Sequence, residues 1–114
     1  MTFSNNIATG TNDFTIEWWE YPTVTANNKG VYHSAYSSSS PYGLLAGYQY
    51  NGKVQAYAST NGSSWDVLNE IEMGTLRVNE WTHRALVRKG STFYMFENGK
   101  LYNTATSSGS ISAL

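Results

Sequence analysis

Cysteine is absent from the chain, so disulfides and thiolate metal sites are excluded and redox compartment cannot be inferred. Charge is scarce as well: 13% of residues are charged and the formal net charge is -1. Neutralising nucleic-acid phosphates takes a basic excess, which this chain lacks, so a nucleic-acid partner is not expected. No apolar run approaches the roughly 18 residues of a spanning helix, so membrane insertion is not expected either. The opening MTFSNNIATG has neither a basic start nor an apolar core, and no signal peptide is expected there. An extracellular product would need another export route, or release by lysis within a virus particle. His33 and His83 are the only histidines, and no third ligand is spaced for zinc.

Aromatic side chains are abundant, with 9 Tyr, 4 Trp and 4 Phe in 114 residues. Their distribution follows a period of two, which is that of strands. Residues 1–12 are polar and read as an arm or a short edge strand around Phe3. In Asp13–Tyr21, Phe14, Ile16 and Trp18 share one face, and Thr15, Glu17, Trp19 and Tyr21 the other. Glu20 falls on the Phe14 face, just before Pro22. Further strands are expected over Gly30–Tyr36, Tyr42–Tyr50 and Lys53–Ser59; Val67–Met73 reads as one short helical turn or an irregular strand, with extended favoured, and Leu76–Val78 as a short edge segment. Gly43, Ala46 and Gly47 thin the third of these strands and admit a close neighbour. In Glu80–Leu101, Trp81, His83, Ala85 and Val87 form the more apolar face, which is expected to point inward. Phe93–Phe96 and Lys100–Thr106 follow as strands. Asn51-Gly52, Asn61-Gly62 and Asn98-Gly99 mark turns, because two-residue hairpin loops need positive φ. Seven or eight short strands with regular turn signals and no helix read as one all-β sandwich domain, residues 1–114.

Three stretches together resemble the concanavalin A-like lectin/glucanase superfamily, in its laminin-G-like branch: DFTIEWW with a Tyr-Pro step, GSSWDVL, and EWTHRALVRKGSTFYMFENGKL. The resemblance spans about residues 13 to 106. It implies a jelly-roll β-sandwich of two antiparallel sheets, in domains found in phage tails, other virion proteins and secreted adhesins. In the family further strands follow the segment matched by Phe93–Thr106, and another precedes the first match. A missing strand leaves a sheet edge unpaired, so the expectation is completion of the fold by another protomer, a compact minimal version of the domain, or one piece of a larger protein.

Sugar rings stack an apolar face on aromatics while their hydroxyls take polar partners. Trp19, Tyr21, Tyr32, Tyr36, Tyr48, Tyr50, Tyr57 and Trp65 are the candidate ligand-binding residues, set among Asn- and Ser-rich loops. A glycan or cell-surface polysaccharide is the partner this implies. The same aromatics would equally serve contacts in a homo-oligomer or with other virion or extracellular proteins. The superfamily includes glucanases, whose chemistry needs two carboxylates flanking the bond. Glu70-Ile71-Glu72-Met73 resembles the start of their strand motif, but Gly74 and Thr75 stand where a further acid belongs, and an enzyme is not expected. Calcium is bound in several branches. Asp13, Asn12 and Asn98 are the oxygen donors available, and no loop is rich in acids. The expectation is a non-catalytic binding or adhesion module without a cofactor.

Overall fold

The computed structural model describes residues 10–34 and 45–111, with backbone alone for His33 and Ser34. Phe3, Tyr36, the loop 37–41 and the start of the expected strand at Tyr42 lie outside the described residues. Eight strands run in order: β1 (Phe14–Glu20), β2 (Lys29–Ser34), β3 (Leu45–Tyr50), β4 (Lys53–Ala58), β5 (Leu68–Thr75), β6 (Thr82–Lys89), β7 (Thr92–Glu97) and β8 (Lys100–Thr106). They form two antiparallel four-stranded sheets, ordered β1-β6-β7-β8 and β2-β3-β4-β5. The turns at Asn51 (φ 49°) and Asn98 (φ 51°) adopt the positive φ that asparagine tolerates. Leu76–Val78 is not a strand. Leu76 is instead buried in a loop, its N–H donating to the Gly52 carbonyl at 2.8 Å.

The core lies between the sheets. Phe14 and Ile16 of β1, Leu86 of β6, and Phe93 and Met95 of β7 meet Leu45 of β3, Val54, Ala56 and Ala58 of β4, and Met73 of β5. Phe14 and Phe93 pack edge to face at 6.3 Å. Trp18 reaches across to Tyr32 of β2, ring centroids 4.8 Å apart. Gly47 is the close approach expected in β3: the Tyr32 ring lies where a Cβ would project from it.

The face of β6 is the reverse of the sequence expectation. Thr82, Arg84, Leu86 and Arg88 point inward, while Trp81 and His83 lie outside. Two buried arginines outweigh the apolar count because each nitrogen of both guanidinium groups has an acceptor. Arg84 donates to Glu20 Oε1 (2.8 Å), Glu97 Oε2 (3.0 Å) and the carbonyls of Met73 (3.0 Å) and Thr75 (2.6 Å). Gly74 leaves room for this pairing, since a Cβ there would meet the Glu97 carboxylate and the Arg84 guanidinium. Arg88 donates to the carbonyls of Gly90, Gly10, Ser107 and Gly109 and lies 4.8 Å from the Phe93 ring centroid. Burial lowers its pKa from the ordinary arginine value. It thereby holds the Gly10–Ile111 bridge, which joins the two ends of the described chain, against the sandwich.

The edge strands β5 and β8 come together at one side of the sandwich. The Tyr102 hydroxyl donates to Glu72 Oε2 (3.3 Å) and accepts from Lys53 Nζ (3.5 Å), and Asn103 Nδ2 donates to the Glu72 carbonyl (3.1 Å). Side chains therefore stitch this edge of β8 to the opposite sheet.

Candidate functional site

The inward set Val54, Ala56 and Ala58 fixes Gln55 and Tyr57 on the outer face of β4. Tyr48 of β3 stands opposite Gln55, and Tyr50 opposite Lys53. The β4–β5 loop then brings Trp65 to the same face. Tyr48 and Tyr57 rings meet edge to face at 5.5 Å, and Tyr57 and Trp65 in a tilted contact at 5.2 Å. These three rings are half-buried and Tyr50 is exposed. The Tyr57 hydroxyl donates to Gln55 Oε1 at 2.7 Å. One face thus carries a row of rings with a polar fringe.

The loop bearing Trp65 is held from within. Asp66, its neighbour, accepts from the Thr60 N–H (2.8 Å) and the Thr60 hydroxyl (2.5 Å), and these bonds hold its carboxyl below the usual range. The Ser59 hydroxyl accepts from the N–H groups of Asn61 and Gly62, and Asn61 Oδ1 accepts from those of Ser63 and Ser64. Such Asx- and Ser-type turns replace the missing ladder bonds of a loop. The result is an aromatic side chain presented from a braced support.

A bulge completes the face. β4 and β5 pair Ala56 with Ile71 and Ala58 with Leu68, so Asn69 and Glu70 together stand opposite Tyr57. Glu70 has φ 55°. Burial raises the Tyr57 pKa, and the negative charge of Glu70 raises it further. The carboxylate and the phenol therefore share one neighbourhood.

The structure thus brings Tyr48, Tyr50, Tyr57 and Trp65 together. Trp19 and Tyr21 lie on the opposite side of the sandwich, on the outer face of the β1-β6-β7-β8 sheet. There Trp19 packs on His83 at 5.2 Å and Tyr21 on Trp81 at 5.3 Å. Trp19 is 64% exposed and Trp81 66%, and Leu101 is exposed as well. Tyr32 is a correction. It is 1% exposed, its hydroxyl 3.8 Å from Met73 Sδ, and it serves the core because β2 turns that face inward. His83 is a second correction, an outer-face residue 3.6 Å from Glu17 Oε2. Sequence reasoning missed Trp81 and Gln55 as surface residues and did not connect Glu70 with Tyr57. The Asn69-Glu70 pair carries no bulge signal of its own.

The oxygen donors considered for calcium are not brought together. Asp13 Oδ1 accepts from the Gly90 N–H at one end of β7, and Asn98 Oδ1 from the His83 N–H at the other. Among the described residues no three of His, Asp or Glu form a metal-binding group.

Residues 1–114 match a family model, Laminin_G_3, described as concanavalin A-like lectin/glucanases superfamily. No curated protein and no solved structure matches the chain.

Proposed function

The chain belongs to the concanavalin A-like lectin/glucanases superfamily, and on that premise we propose that it is a non-catalytic carbohydrate-binding or adhesion module. The glycan would lie on the Tyr48–Tyr57–Trp65 face. The observation that carries this reading is a row of three half-buried rings, Tyr48 and Trp65 each within 5.5 Å of Tyr57, braced by Asp66 and fringed by Gln55. Such rings offer apolar faces to sugar C–H groups, while Tyr and Trp keep a polar edge for hydroxyls. Rotamers already fixed by packing cost little further entropy on binding. The reading extends to a place in a phage tail, another virion part or an extracellular structure. It is supported there by a composition in which Ser, Thr, Asn and Gly largely take the place of charged residues.

Glycan-array binding by the folded protein is the test. Trp65→Ala is expected to reduce binding at least tenfold with the thermal midpoint nearly unchanged, because the ring is half-exposed at a loop. Absence of binding to every glycan class would overturn the reading.

A second reading rests on the other outer face. Trp19, Tyr21, Trp81 and Leu101 are exposed together on one sheet. An apolar patch of this kind suits protein association, and its proposed occupant is a second copy of the chain.

A further inference from the structure

Glu70 is out of keeping with its position. A non-glycine residue at φ 55° is uncommon unless it is Asn or Asp, and Glu70 holds that conformation against its own preference. Asn69, the neighbouring residue, is of the type better suited to that conformation. The Glu70 carboxylate is exposed and makes no ion pair among the described residues. It shares the bulge opposite Tyr57, and its charge is felt at the Tyr57 phenol. The arginines, which would be the natural partners for an acidic ligand, are committed elsewhere. Arg77 pairs with Glu97, Arg84 with Glu20 and Glu97, and Arg88 with backbone carbonyls.

We infer that Glu70 sets the class of glycan this face accepts: uncharged sugars that offer two adjacent hydroxyls to its carboxylate, in preference to uronic, sialic or sulfated sugars. The inference rests on the carbohydrate-binding reading above. A carboxylate is acceptor-only and takes two hydroxyl donors on its two oxygens, as charge-assisted hydrogen bonds roughly twice as strong as neutral ones. A carboxylate or sulfate on the ligand brings like charges within a few ångströms at the protein surface and supplies no donor. The bulge pushes an extra residue of β5 out beside the row of rings, so the sugar plane rests on Tyr57 and Trp65 while its edge meets Glu70.

The test compares immobilised neutral hexose oligosaccharides with uronate-containing and sialylated ones, on the wild type, Glu70→Gln, Glu70→Asn and Trp65→Ala. The wild type is expected to favour neutral glycans. Glu70→Gln keeps the shape and removes the charge; it is expected to lose about tenfold on neutral glycans, the loss of one charge-assisted bond, and to narrow the neutral-to-acidic ratio by a similar factor. Glu70→Asn relieves the backbone strain and is expected to narrow the ratio in the same way, which separates charge from conformation. If Trp65→Ala abolishes binding while the ratio is unchanged in both Glu70 variants, the inference about Glu70 fails and the binding face stands. Wild-type preference for acidic glycans also overturns the inference alone. Failure of the wild type to bind any glycan overturns both.

Discussion

Arg84 stands between two carboxylates and two carbonyls with its side chain fully out of solvent. Removing it leaves Glu20, nearly buried, without an ion-pair partner and Glu97 with Arg77 alone. Breaking one side of a buried pair in this way costs several kcal/mol, whereas replacing the whole group by apolar residues is often neutral. Arg84→Met should therefore lower stability by roughly 3 kcal/mol at neutral pH, read from denaturant midpoints. The penalty should shrink in acid. Burial pushes the Glu97 carboxyl up, but the hydrogen bonds and charges of Arg77 and Arg84 together outweigh it and hold the pKa below the ordinary 4.5. A depressed folded-state pKa means stability that is full above the unfolded value and lost as pH falls through the folded one. Melting curves of wild type and variant from neutral pH into acid should therefore converge below pH 4.5. Curves that stay parallel would show that the cost is lost packing and not lost charge.

At the scale of the strand, β2 and β3 fit together through a ring and an absence. Tyr32 lies over Gly47, and any side chain at that position must push the ring away. Gly47→Ala should destabilise by about 1–3 kcal/mol, as overpacking of a core does, and it should disturb the near-ultraviolet signal of the Trp18–Tyr32 contact. An unchanged midpoint would mean that the two strands separate more easily than their packing suggests. Much of this was legible in the sequence. The alternation in DFTIEWW gave the faces of β1, Asn-Gly steps gave two hairpins, and Gly47 of β3 announced a close neighbour. The facing of β6 was not legible, because hydropathy counts Arg84 and Arg88 as surface residues. Apart from the Gly90 carbonyl, their acceptors come from β1, β5, β7, Gly10 and the segment after β8, which no local pattern connects. The grouping of Tyr48, Tyr57 and Trp65 was half legible. Their residue type was apparent, but parity alone could not say that Tyr32 turns inward while Trp19 goes to the other side. The bulge at Glu70 left no mark, since its positive φ is imposed by pairing and not by residue preference.

The whole molecule is a sandwich with aromatic groups on both outer faces. One face is braced and polar-fringed; the other exposes Trp19, Tyr21, Trp81 and Leu101 with few charges between them. Large exposed rings on a sheet surface bury a few hundred Å² when a copy docks, which is the apolar centre of a standard interface. Sedimentation equilibrium should show concentration-dependent dimerisation that Trp19→Ser/Trp81→Ser reduces at least tenfold, while glycan binding on the opposite face is retained. A wild type that remains monomeric up to high micromolar concentration would remove the second reading and leave the first intact.

The bridge between Gly10 and Ile111 is antiparallel, with backbone bonds in both directions, and Arg88 grips the carbonyls beside it. Gly10 and Ile111, the first and last of the described residues, therefore sit side by side at one junction. A tensile load applied at Gly10 and Ile111 would open this junction bond by bond before it sheared a whole sheet. Arg88 would then act as the mechanical fuse, yielding while both outer faces keep their shape.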